Sequence, residues 1–320
     1  MTGFWQRTRL LTFLFRRWGL ILLGKSYWHV PQEVGTRFVP GELAGYFNDL
    51  TAKVAWKGPI DEHGLPVQEF GGRRLYFPTT IFQKALGHWD YWLISADDVH
   101  RLAFLKIAEW TIENQDEAGG WPIWTLLGLA YPSPYSAMTQ GEGVSVLVRA
   151  YKLTQEPVFL EAARKSLGLL KKPISEGGTC REVPEGVILE EVPHDGHQAI
   201  LNGWIFALFG LYDYTLVEKN SEILHLMSRS LDALEAYLPR YDAGYWSYYD
   251  LSGHLASPFY HRLHIAQLQA LSFAFPDRAD KFREIKAKFR QQLRSPLARL
   301  KALTIKAIQK LGSPPEVPLE

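Results

Sequence analysis

The stretch that most constrains this chain is residues 188–212, Ile-Leu-Glu-Glu-Val-Pro-His-Asp-Gly-His-Gln-Ala-Ile-Leu-Asn-Gly-Trp-Ile-Phe-Ala-Leu-Phe-Gly-Leu-Tyr. Two adjacent carboxylates, Glu190 and Glu191, end an extended run that Pro193 stops, and a polar loop leads into a segment apolar on nearly every helical face. A helix apolar all round has to be enclosed by other elements, so the fold must surround residues 198–217. The loop before it then reaches the mouth of the fold, where side chains can meet a ligand. Glu190 and Glu191 would lie at that mouth.

The rest of the chain supplies helices to do the enclosing. Thr79-Thr80, after Pro78, can cap a helix over 81–93. Helical periodicity then marks one face with Leu102, Leu105, Ala108 and Ile112, another with Val144, Val148 and Tyr151, and a third with Phe159, Ala162, Ala163, Leu167 and Leu170. Further helices are predicted over 222–238, 262–275, 277–293 and 295–311. The turn at 154–157 is short enough to make an antiparallel pair. Alternating stretches at 179–192 and 245–251 read as β-hairpins inserted between helices. Repeated helix pairs with ligand-bearing loops at one end predict a mainly α fold, an (α/α) toroid or incomplete α/α barrel of about five pairs, some incomplete, with no strict period that would make it a solenoid. It occupies residues 76–312. Residues 1–75 form an N-terminal amphipathic helix and a wrapping segment punctuated by Pro and Gly, with a short helix within 41–54.

Composition narrows the function. A formal net charge of +1 argues against a surface that wraps nucleic acid. The single Cys180 excludes an internal disulfide and fits a reducing compartment, or simply no use for thiols. Eleven Trp and fifteen Tyr suit an aromatic-lined cleft for sugar rings as well as an aromatic core. Near the N-terminus, Arg16 and Arg17 interrupt the apolar run from Leu10 to Leu23 and make a membrane span too costly. Residues 1–23 read instead as a basic amphipathic helix, packed on the body or lying peripherally on an anionic membrane. The expected localisation is cytoplasmic, with that peripheral contact left open.

Three clusters carry candidate chemistry. In residues 135–151, Gly141 and Gly143 open a helix face to close approach by another helix or by a sugar. Residues 237–268 concentrate Tyr, His and Arg at a hairpin and a helix start, which is expensive to bury without function. His194, Asp195 and His197 form a compact set of metal-ligand types, but no third His stands nearby in sequence. Neither a metal nor a cofactor is expected.

Six runs carry a specific resemblance: Tyr-Ser-Ala-Met-Thr-Gln-Gly (135–141), Val-Leu-Val-Arg-Ala-Tyr (146–151), Leu-Asn-Gly-Trp-Ile-Phe-Ala-Leu-Phe-Gly-Leu-Tyr-Asp (201–213), Leu-Pro-Arg-Tyr-Asp (238–242), Tyr-Tyr-Asp-Leu (248–251) and Tyr-His-Arg-Leu-His-Ile-Ala-Gln-Leu (260–268). In order and approximate spacing these resemble the D-glucuronyl C5-epimerase family, over residues 76–275. The resemblance implies a C-terminal α/α toroid, and the first 75 residues are too few for the β-barrel that precedes it in the family, so a minimal version is expected. It also implies conversion of glucuronate to iduronate within a polysaccharide, by removal of a proton at C5 and its return on the opposite face. The family's catalytic Glu falls on Glu191 and two catalytic Tyr fall on Tyr249 and Tyr260. Tyr135, Gln140, Arg149, Asn202, His261, Arg262 and His264 are the candidates for binding the substrate and its enediolate.

Two positions depart from the family. Val192 stands where a catalytic Tyr follows the Glu, and Ser252 stands where an Arg follows Tyr-Asp-Leu. These departures point to a different uronic acid or polymer. The alternatives are a polysaccharide lyase, which shares C5 proton abstraction, and a non-catalytic uronan-binding subunit. The expected partner is a glucuronate-containing polysaccharide, with a homodimer left open.

Overall fold

A computed structural model describes residues 30–312 except Gly71, Asp195 and His197. The N-terminal helix expected over residues 1–23, and two of the three residues of the metal reading, lie outside the described residues.

Eight helices form four antiparallel pairs: α1 (Pro78–Ser95) with α2 (Asp98–Glu113), α3 (Ala137–Thr154) with α4 (Pro157–Lys171), α5 (Leu201–Thr215) with α6 (Ser221–Tyr237), and α7 (Pro258–Ala274) with α8 (Ala279–Arg294). The first member of each pair packs on the first member of the next, so α1, α3, α5 and α7 make an inner layer and their partners an outer one. A further helix, α9 (Pro296–Gly312), lies on α8. The fold is a mainly helical, toroid-like domain with small antiparallel hairpins, an open arc rather than a closed ring among the described residues. One hairpin is β1 (Gln68–Phe70) with β2 (Arg73–Leu75); the other is β3 (Cys180–Val183) with β4 (Gly186–Leu189), in the register Cys180 to Leu189.

The segment apolar all round is the centre of this arrangement. Every residue from Leu201 to Tyr214 on α5 is buried. Where α3 crosses α5, a Cβ on Gly210 would lie 2.4 Å from the Gly141 carbonyl oxygen, and one on Gly141 would lie 2.6 Å from the Ala207 Cα. Gly141 therefore serves helix packing, and backbone-to-backbone approach leaves no room for a sugar there. The segment before α1 contributes to the same core. Tyr46, Phe47 and Leu50 are fully buried, and Phe47 stacks on Phe209 with ring centroids 3.9 Å apart. Burying such a side chain stabilises by about 1.5–3 kcal/mol.

Several local expectations are corrected. Thr79 and Thr80 do not cap α1, which starts at Pro78, where the missing N–H is no loss. Thr79 Oγ1 instead pairs with Thr139 Oγ1 at 2.8 Å, and Thr80 Oγ1 accepts from Gln68 at 2.9 Å. The buried face of α2 carries Phe104, Ile107, Ala108 and Thr111, while Leu102 is 58% exposed. Thr111 can be buried because its hydroxyl donates to the Ile107 carbonyl at 2.7 Å. Residues 245–251 form no regular hairpin: isolated bridges pair Asp242 with Ser247 and Tyr248 with Leu255. Side chains take the backbone donors that a ladder would have used, Asp242 capping Gly244 and Asp250 capping Ser252 and His254. The β1–β2 hairpin lies in a segment expected to hold only loops and short pieces. No described helix is long and apolar enough to cross a membrane.

Candidate active site

The two adjacent carboxylates have different surroundings. Glu190 continues from β4; its N–H donates to the Thr179 carbonyl at 2.9 Å, and its carbonyl accepts from Ala137 N at 3.0 Å, pinning the strand end to the start of α3. Its carboxylate is fully buried, accepting from Arg181 Nε at 2.7 Å and from Ala199 N at 3.0 Å. Arg181 also donates to the carbonyls of His194 (2.6 Å) and Gly196 (3.2 Å). Ala199, at φ 44, sits in the left-handed region that costs an alanine free energy, and the Tyr241 hydroxyl donates to its carbonyl at 2.5 Å. Glu190 thus clamps the loop that enters α5.

Glu191 has no such clamp. Its Oε2 is shielded from solvent and lacks a hydrogen-bond partner among the described residues. Its carboxylate lies against the backbone of Gly203 on α5, where a Cβ would stand 2.0 Å from Oε2. Burial, and then the negative charge of Glu190, push its pKa up to about 8, as expected for a desolvated carboxylate.

The tyrosine pair is brought in by the loop between η-turn 238–241 and α7. Leu201 N donates to the Tyr249 carbonyl at 3.1 Å and Leu251 N to the Gln198 carbonyl at 2.8 Å, docking this loop on the entry to α5. From the other side, α9 holds it: Gln309 accepts from Leu255 N and donates to the Gly253 carbonyl, both at 3.0 Å. Tyr260 lies in the first turn of α7, where Ser257 Oγ caps its N–H at 3.4 Å. The rings of Tyr249 and Tyr260 are 4.7 Å apart at 56°, close enough for each phenol to affect the other's titration. Both are half-buried. Burial, and then the charge of Glu191, raise the pKa of each phenol, so both are protonated near neutrality.

The other candidates divide. Asn202 adjoins Gly203; its Oδ1 is buried without a partner, while its carbonyl accepts from Gln267 at 3.1 Å. His264 Nε2 and Gln267 Oε1, on α7, are likewise buried without partners, and burial lowers the His264 pKa to about 3. His261 is fully engaged: it stacks on Trp246 at 3.7 Å, meets Ser247 Oγ through Nδ1 at 2.8 Å and donates from Nε2 to the Phe289 carbonyl at 2.9 Å. Arg262 is half-buried beside it and its charge disfavours the imidazolium. The remaining three are engaged by other partners. Tyr135 donates its hydroxyl to Asp116 at 2.6 Å. Gln140 bridges the Trp121 carbonyl and Ser166. Arg149, fully buried, pairs with Asp213 at 2.5 Å and donates to the carbonyls of Ser145 and Gly45.

Sequence reasoning missed Glu142. It is fully buried on α3, with Oε1 accepting from Gln83 at 2.9 Å and Oε2 unpartnered. Burial pushes its pKa up to about 8; Gln83 and the charge of Lys53 oppose this, and the charge of Glu191 adds to it. The available signal was a carboxylate between two glycines in an apolar run. Among the described residues no three His, Cys, Asp or Glu stand close enough to hold a metal.

What this arrangement offers is a raised, unpaired carboxylate in electrostatic contact with two protonated phenols, which is the equipment for moving protons at a carbon acid. Comparison with known proteins bears on which carbon acid. Residues 115–291, more than half of the chain, match the family model described as D-glucuronyl C5-epimerase C-terminus. A D-glucuronyl C5-epimerase of Caenorhabditis elegans is 33% identical over 195 residues, covering 53% of this chain and 32% of the relative. An uncharacterized protein of Methanocaldococcus jannaschii is 29% identical over 136 residues, covering 41% of this chain and 44% of the relative. The chain therefore spans less than half the length of either relative.

Proposed function

This chain belongs to the D-glucuronyl C5-epimerase C-terminal family, and from that premise we propose that it is a uronic-acid C5-epimerase acting on a glucuronate-containing polysaccharide. The observation that carries the reading is the contrast at the strand end, where Glu190 is ion-paired and Glu191 is held unpaired with a pKa near 8 beside two phenols. A carboxylate with a raised pKa is a stronger base once ionised.

In this reading the ionised Glu191 takes the proton from C5, and the C–H electrons move into the C5–C6 bond to give an enediolate. Tyr260 delivers its hydroxyl proton to the opposite face of C5, and the enediolate returns to a carboxylate with inverted configuration. The step leaves Glu191 protonated and Tyr260 as a phenolate, which the Tyr249 hydroxyl stabilises by hydrogen bonding until Glu191 gives its proton to solvent and Tyr260 takes one back. Asn202, neutral His264 and Gln267 are the polar groups at hand to hold the substrate, since each has a buried polar atom without a partner and leaving such an atom unpaired costs about 1–3 kcal/mol.

The test is incorporation of deuterium at C5 of a glucuronate polymer in D₂O, followed by NMR. Glu191→Gln and Tyr260→Phe should each lower exchange by about 10²–10⁴-fold while binding of the polymer persists. Exchange that survives both substitutions would place the chemistry elsewhere, and absorbance from an unsaturated uronate would make the reaction an elimination.

A further inference from the structure

We infer that the outer face of α9 is a docking surface for an anionic lipid bilayer, a property independent of the reaction proposed above. Leu297, Leu300 and Ile308 are 79%, 62% and 64% exposed. With the exposed Thr304 they occupy one stripe of α9, spaced three, four and four residues apart, the spacing of a single helical face. The opposite face is already used. Ala302 is buried against the cluster around Trp246 and Leu255, and Gln309 is bonded to the 253–255 backbone. The stripe is therefore held rigidly outward by contacts made on the other side of the same helix.

Charge identifies the occupant. Residues 30–278 carry 20 Lys or Arg against 30 Asp or Glu, whereas residues 279–312 carry ten against two. This basic end of an otherwise acidic body includes exposed Arg290, Arg294, Arg299 and Lys301, with Lys301 Nζ 4.0 Å above the Tyr245 ring. An exposed apolar stripe on a helix that, with the neighbouring α8, carries these exposed cations matches a bilayer whose phosphates meet the basic groups while its acyl boundary takes the leucines. A polyanionic sugar chain would use the cations but has no acyl layer to receive Leu297, Leu300 and Ile308.

The experiment is flotation of the full chain with phosphatidylcholine vesicles, with and without a third of phosphatidylglycerol. Wild type should float with the anionic vesicles and lose that association in high salt. The triple variant Leu297→Ser, Leu300→Ser, Ile308→Ser should bind them roughly tenfold more weakly or worse, and Arg290→Gln with Arg294→Gln should weaken binding to the anionic vesicles alone. Because these side chains are exposed, the variants should melt with the wild type, so a loss of binding is not a loss of fold. Undiminished flotation of the triple variant, no flotation of wild type, or a dimer that the triple variant dissolves while flotation is unchanged would each overturn the inference.

Discussion

Gly203→Ala isolates the position of the Glu191 carboxylate from its chemistry. The new Cβ would stand 2.0 Å from Oε2, 2.7 Å from Cβ and 2.8 Å from Cδ of Glu191. Van der Waals contact needs well over 3 Å, so the carboxylate has to swing away by about 1 Å or more, and a displacement of that size at a reacting group costs about 100-fold in rate. Stability moves much less. Alanine favours the helix by about 1 kcal/mol over glycine, which offsets part of the about 1–3 kcal/mol that overpacking typically costs. The assay is C5 deuterium exchange beside a thermal melt. We expect a loss of about two orders of magnitude in exchange with a fold that melts within a few degrees of wild type. The same substitution placed on Glu191→Gln should add little, since both act on one group. Wild-type exchange in Gly203→Ala, or a full multiplicative loss in the double variant, would show that Gly203 does not act through Glu191.

Protonation gives a prediction of opposite sign for activity and stability. Exchange should rise as pH passes through about 8, where Glu191 ionises. Stability should fall over the window from about 4.3, where an unfolded Glu loses its proton, to about 8, where folded Glu142 and Glu191 do. In that window the folded state binds more protons, so each such carboxylate contributes a decline of about 1.4 kcal/mol per pH unit; denaturant melts of Glu142→Gln should be less pH-dependent than wild type, and an unchanged slope would refute the assignment. Gln309→Ala frees the Gly253 carbonyl and Leu255 N–H, and we expect kcat to drop by about tenfold with KM nearly constant, whereas Gln309→Glu, which keeps the acceptor, should recover part of the loss. Arg149→Met strands Asp213 without its buried partner and should cost about 3–5 kcal/mol in chemical denaturation; a cost under 1 kcal/mol would mean the pair carries little stability.

The helical fold was legible because enclosure is written into composition along the chain. A segment with no polar face, such as 201–214, leaves only buried helix as a solution, and Gly141 already signalled a close crossing without saying whether a helix or a sugar would fill it. What failed was local. Leu102 and Phe104 both fit a helical stripe, and the choice between them depends on a neighbouring helix and on Thr111 satisfying its own hydroxyl within α2. The arc holds four pairs and one added helix, which is about five pairs with the last incomplete, because α9 packs on α8 and on the tyrosine loop without a partner of its own among the described helices.

The site was legible by residue type more than by role, and the reason is that partners distant in sequence decide the role. Nothing local separates Glu190 from Glu191; Arg181, on the neighbouring strand, neutralises the first and leaves the second to be desolvated alone. Arg149 looked available until Asp213, 64 positions away, took it. His261 looked like a ligand-facing imidazole but is held between Trp246 and Phe289 with both nitrogens bonded. Unpartnered buried atoms in the inner layer narrow the candidates further. Most buried polar groups in proteins find partners, yet Glu142 Oε2, Glu191 Oε2, Asn202 Oδ1, His264 Nε2 and Gln267 Oε1 have none among the described residues. They come from α3, α5, α7 and the loop between β4 and α5; Ser145 Oγ and Arg149 Nε on α3 also lack partners among the described residues, so a missing partner marks a group for the substrate only where it accompanies a position beside Glu191 or the tyrosine pair.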